Sequence, residues 1–87
     1  MALYYESFNR VFSHLLENTG VTGYKIAQYT GIDQGYISCL KNGNKNNPSP
    51  EVIVKISIAL AHFSPDLKMS DIEELFDSIG RSLHSKY

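Results

Sequence analysis

Residues 22–43 read TGYKIAQYTGIDQGYISCLKNG, and the spacing inside this stretch decides the fold. Thr22 offers a hydroxyl to cap a short helix that turns Ile26 and Ala27 inward. Gly31 ends that helix after barely two turns, because glycine can take the left-handed conformation that closes a helix without a side-chain clash. Asp33 caps a second helix, predicted over about 34–41, which stops at the Asn42-Gly43 pair. Two short helices that cross closely need a small residue at the crossing, a glycine in the turn and apolar residues that seat the second on the first. Ala27, Gly31, Ile37 and Leu40 stand at those places, at successive spacings of four, six and three.

Upstream, Leu3, Tyr4, Phe8, Val11, Phe12, Leu15 and Leu16 recur at three- and four-residue steps, the stripe of an amphipathic helix that stops near Asn18, before Gly20. The aromatic group Tyr4, Tyr5, Phe8 and Phe12 reads as core. Downstream, the polar loop 44–48 leads to Ser49-Pro50, a helix start in which proline at the first position loses no hydrogen bond. Val52, Ile53, Ile56, Ala59, Leu60 and Phe63 form the apolar face of a fourth helix, broken near Pro65. Ser70 and Glu73 are spaced as a capping box for a fifth, carrying Ile72, Leu75, Phe76 and Ile79, and Gly80 either ends or weakens it. No stretch alternates with strand period and no repeat occurs. The expected architecture is all-α: one domain over 1–87, a compact five-helix bundle with its core at about 3–63 and the fifth helix, about 70–83, as a C-terminal extension.

Eighty-seven residues suffice for one modest core, and 43% hydrophobic with 20% charged residues at net charge −1 is ordinary soluble composition. There is no long apolar run, and the amino terminus, with Glu6, lacks a signal pattern, so a cytoplasmic protein without a membrane partner is expected. One cysteine, Cys39, excludes an internal disulfide, and His14, His62 and His84 lie too far apart in sequence for zinc-finger spacing. Cys39 comes late in its helix with only Lys41 as a nearby cation, so an inert thiol is expected. No nucleophile-base order, phosphate loop or carboxylate pair emerges: neither an enzyme, nor a cofactor, a metal or a small-molecule ligand is expected. A pI of about 6.2 speaks against nucleic acid, but the charge is unevenly spread. Residues 22–62 carry four lysines against two carboxylates, whereas residues 66–77 carry one lysine against five. A DNA-facing surface therefore belongs in the middle of the chain.

These spacings, with Ile26, Ile32 and the Asn42-Gly43 stop, resemble the lambda-repressor, Cro and Xre family of five-helix regulators, over roughly Phe8 to Phe63. The resemblance implies double-stranded DNA as partner and a sequence-specific transcriptional regulator, a repressor that occupies its operator through the major groove. At about 100° per residue, Ile37 and Leu40 lie opposite a face centred on Gly35, Asn42, Ser38 and Cys39, with Gln34 and Tyr36 at its flanks. In the family, the first turn of this helix and the residue two beyond the buried Ile read base edges, which implies Gln34, Gly35 and Cys39, joined by Ser38 on the same face. Gln34 is the strongest candidate, since a carboxamide donates to and accepts from adenine at once. Thr22, Lys25, Tyr36, Lys41, Asn42 and Lys45 are then assigned to phosphates, with packing against the preceding helix as the other role open to Tyr36.

Three positions depart from the family pattern. Asp33 replaces a Ser or Thr cap and brings a carboxylate near phosphate; Gly23 stands where many members carry a buttressing Gln; Gly35 offers backbone where a reading side chain is common. On the fifth helix, Ile72, Leu75, Phe76 and Ile79 either cover the domain or meet their copies in a two-fold homodimer, the reading adopted, which would set two recognition helices about 34 Å apart on a palindromic site. The alternative function, motivated by Asp33, Gly23, Gly35 and the acidic tail, is an antitoxin-like protein-interaction module that keeps the fold without binding DNA.

Overall fold

The computed structural model describes residues 7–84 and contains five helices: α1 (Phe8–Thr19), α2 (Gly23–Thr30), α3 (Gln34–Asn42), α4 (Pro50–Phe63) and α5 (Met69–His84). No strand occurs among the described residues. The all-α, five-helix architecture expected from the sequence is the one observed. Leu3, Tyr4 and Tyr5, expected in the first helix and its core, lie outside the described residues.

The helix ends follow local chemistry. Thr22 Oγ1 accepts from Lys25 N at 3.1 Å, Asp33 Oδ2 from Tyr36 N at 3.1 Å and Ser49 Oγ from Val52 N at 3.3 Å, so each of three helix starts has one otherwise orphaned donor satisfied by its cap. At the other ends, Gly20, Gly31 and Gly43 take φ of 72°, 79° and 93°. The first two belong to a repeated device. In Thr19-Gly20-Val21 and again in Thr30-Gly31-Ile32, the Thr hydroxyl donates to the carbonyl four residues back and accepts from the N–H two residues on. Each helix is thus closed by a side chain as well as by the glycine. The capping box expected at Ser70 and Glu73 does not form. The helix starts earlier, at Met69, and Asp71 Oδ2 accepts from Lys68 N at 3.1 Å, so the reach-back carboxylate belongs to Asp71. Gly80 does not end α5, which runs on to His84.

Phe8, Phe12, Ile26, Ile37, Leu40, Ile53, Ile56, Leu60 and Leu75 are almost wholly buried and form one core, with α1 against α3 and α5, and α4 against α2. Val21, in the α1–α2 turn, joins it. Phe63, expected on the apolar face of α4, instead stays 36% exposed and meets Tyr29 edge-on at 5.7 Å, while Tyr29 stacks on His62 at 4.5 Å. The last turn of α4 overruns the core, so its aromatic ring covers α2 from outside.

Among the described residues, one core group is unsatisfied: Ser57 is 6% exposed and its Oγ has no hydrogen-bond partner. A buried hydroxyl without a partner costs on the order of 1 kcal/mol or more. Ser57→Ala removes that cost and a small volume only, so it is expected to stabilise the fold by about 1 kcal/mol and to raise the melting temperature by roughly 4–8 °C. Thermal denaturation checks this, and a lower melting temperature would show that the hydroxyl is satisfied in solution.

Candidate nucleic-acid interface

The α2–α3 pair is held by close approach. Ala27 and Ile37 are buried between the helices, and a Cβ built on Gly23 would lie 3.2 Å from Ile37 Cγ2, tighter than ordinary contact. Glycine at 23 therefore lets the start of α2 settle onto α3. It leaves a shallow hollow of about 160 Å³ lined by Gly23, Tyr24, Gln34, Ile37, Ser38 and Lys41. The far end of α3 is tied to α1: Ser13 Oγ donates to Lys41 O at 3.0 Å, and a Cβ on Gly43 would meet Asn9 Nδ2 at 3.3 Å. With both ends fixed on a packed core, the outer face of α3 is a rigid surface.

Of the four residues expected to read bases, Gln34, Gly35 and Ser38 are exposed, with Gln34 and Ser38 together on the wall of that hollow. Cys39 is only half-exposed. Its carbonyl accepts from both Gly43 N at 3.0 Å and Lys45 N at 3.1 Å, so its backbone anchors the following loop. A Cβ on Gly35 would lie 2.9 Å from Asp33 Oδ2, so glycine leaves the cap carboxylate its place over the first turn, although that flexible side chain could shift aside.

The six expected phosphate-binding residues divide. Lys41, Asn42 and Lys45 are exposed at the end of α3. Asn42 Oδ1 accepts from Asn44 N at 3.0 Å, which leaves its Nδ2 as the outward donor and, with the Cys39 carbonyl, fixes where Lys45 leaves the helix. Thr22 Oγ1 is used as an acceptor by the cap, so only its own proton is free to donate. Tyr36 is half-buried and packs against the core. Lys25 is exposed, and its ammonium sits 5.7 Å from the centre of the Phe63 ring of α4.

Two residues escaped the sequence analysis. Tyr24 is 55% exposed on the edge of the hollow, and Gln28 Nε2 donates to its hydroxyl at 2.8 Å. Their four-residue spacing on the outer side of α2 was the available signal, but the reading of α2 followed only its buried face.

A family model described as helix-turn-helix matches residues 15–67, from the middle of α1 through α2, α3 and α4. The chain belongs to the helix-turn-helix family. This is the Cro/C1 type, to which lambda-repressor and Xre regulators correspond, a family of DNA-binding transcription regulators and not of enzymes. Comparison with curated proteins and with solved structures gives no match. The match covers the helix-turn-helix and its flanking supports, and stops before α5. No helix among the described residues is long and apolar enough to cross a membrane.

In this helix-turn-helix, Asp33 caps α3 and places a carboxylate beside its first turn. Asparagine keeps a cap oxygen of similar strength without the charge. Asp33→Asn is expected to leave stability within about 1 kcal/mol and to tighten binding to duplex DNA severalfold at low salt, with the gain shrinking as salt screens the carboxylate. Fluorescence-anisotropy titrations at 50 and 300 mM salt check it; unchanged affinity at low salt would place the carboxylate away from phosphate.

Proposed function

We propose that this chain is a sequence-specific transcriptional regulator that binds double-stranded DNA as a homodimer, laying α3 in the major groove of an operator and repressing by occupying it. The observation that carries the reading is the outer face of α3, where Gln34, Ser38, Lys41 and Asn42 are exposed on a helix whose two ends are pinned to the core. Gln34 is the base reader, its carboxamide suited to the N6 and N7 edge of adenine. Ser38 and the bare backbone at Gly35 allow close approach beside it. Lys41, Asn42, Lys45 and Thr22 contact phosphates and set register, and such a protein acts in the cytoplasm, where it meets its operator.

The dimer narrows to part of α5. Leu75 is fully buried in the domain's own core, so it cannot also meet a second copy. Phe76 is 38% exposed and Met69 68%, with Ile72 and Ile79 half-buried beside them. Phe76 is therefore the central contact of the proposed pairing. Phe76→Glu is expected to leave the helical fold intact and convert dimer to monomer in sedimentation experiments; dimers that persist would locate the two-fold elsewhere.

Selection of bound sequences from a random duplex library at two salt concentrations tests the whole reading. An enriched palindrome with half-sites about one turn apart is expected. Gln34→Ala should lower discrimination between cognate and random DNA by about 1–3 kcal/mol, whereas Lys45→Ala should weaken both alike and reduce the salt slope by about 1. Absence of enrichment at low salt would overturn the proposal in favour of a protein partner.

A further inference from the structure

We infer that Tyr24 is a DNA-contacting residue, its hydroxyl donating to a backbone phosphate oxygen and held in place for that purpose by Gln28. The inference rests on the DNA-binding reading above and adds a contact outside α3.

The argument is one of proton bookkeeping. A phenol has one proton to donate and lone pairs to accept with. Gln28 Nε2 donates to the Tyr24 oxygen at 2.8 Å, so the lone-pair side is occupied and the proton remains to be given to an outside acceptor. The ring is 55% exposed, so this is not a buried group seeking satisfaction within the fold. An exposed, neutral pair on one helix turn is normally free to rotate. Here one member fixes the other and thereby orients a donor outward.

The position selects the acceptor. Tyr24 shares the rim of one hollow with Gln34, Ser38 and Lys41, and Gly23 leaves that rim low on the α2 side. With α3 in the major groove, a donor on the neighbouring helix stands at the groove wall, where phosphate oxygens are the exposed acceptors, and not over the base edges at its floor. Lys41 on the same rim supplies the positive charge that draws the phosphate in. Tyr24 is thus a neutral clamp beside a charged one, and Gln28 is its positioning residue.

A neutral clamp leaves a distinct signature. The slope of binding against salt counts phosphates neutralised by cations, since only these release counterions. A hydroxyl that donates to phosphate adds affinity without adding to that count. Tyr24→Phe, which keeps the ring, is therefore expected to weaken binding about 5- to 10-fold to cognate and random duplex alike, at every salt concentration, with an unchanged slope. Lys41→Ala should flatten the slope by about 1. Gln28→Ala is expected to cost about 2- to 3-fold in the wild-type background and nothing once Tyr24 is Phe, the coupling that a double-mutant cycle isolates.

The wild-type chain on a duplex of the selected sequence, and on random duplex, is measured first by anisotropy between 50 and 300 mM salt. If the wild type binds neither duplex, the DNA-binding reading itself fails. If it binds and Tyr24→Phe binds within twofold of it, the contact does not exist. A loss confined to the cognate duplex would mean that Tyr24 reads a base, and a loss with a flattened slope would mean that the hydroxyl acts through a cation; either overturns the phosphate assignment. Unchanged melting of Tyr24→Phe confirms that the loss is at the interface.

Discussion

The seat of α3 on α2 is the constraint on which the remaining structure depends. Ile37 reaches the start of α2 closely enough that a Cβ at 23 would press on its Cγ2 at 3.2 Å, while Ala27 is small enough to let the two helices cross. Everything that an outer face of α3 can do follows from that fit, because a helix of nine residues has too few internal hydrogen bonds to hold itself. Packing must supply the stability. The buried side of α3 is given to Ile37 and Leu40, and α1 closes its far end through Ser13 and Asn9. A rigid outer face is therefore obtained by fixing a short helix against α1 and α2 and leaving the opposite side to solvent.

The same economy explains why the helix boundaries were so legible. Each boundary is set by a local stereochemical requirement: a left-handed residue at 20, 31 and 43, and a cap oxygen at 22, 33 and 49. Such requirements act within a few residues, so sequence spacing is enough to find them. The paired Thr-Gly-Val and Thr-Gly-Ile stops act on the same scale and went unnoticed only because the glycine alone already explained the ending. The start of α5 shows the limit. Two carboxylates, at 71 and 73, stood at plausible reach-back positions, and which of them bonds depends on where the preceding turn through Ser64 and Leu67 delivers the chain.

The site was less legible than the fold, for a different reason. A helical wheel assigns residues to a face but does not say what else competes for their polar atoms. Lys25 belonged with the basic central segment, yet the exposed end of α4 offered it the face of Phe63. Tyr36 rests part of its ring on the core. Leu75 was one position in an apolar stripe whose neighbours differ in depth, because α5 lies against α1 on one side and less closely against α4 on the other. In each case a partner distant in sequence decided the matter. Gln34, Ser38, Lys41 and Lys45 kept their expected exposure because none of the described residues covers them.

The departures from the common family pattern are connected through the geometry. With Asp33 as the cap, the carboxylate folds over the first turn, and glycine at 35 leaves room beside it, where a Cβ would lie 2.9 Å from Asp33 Oδ2 unless that side chain shifted. Glycine at 23 opens the hollow on which Tyr24 borders. Asp33 brings a repulsive charge and Gly35 removes a side chain from the reading face, so α3 presents fewer attractive groups than its length allows. A hydroxyl held outward by Gln28 on the adjoining helix adds a neutral donor at the same rim. That donor is insensitive to screening, whereas the repulsion from Asp33 is strongest when salt is low. In the proposed DNA complex, the balance between them makes binding less dependent on ionic strength than a lysine-rich face would, in a chain of net charge −1.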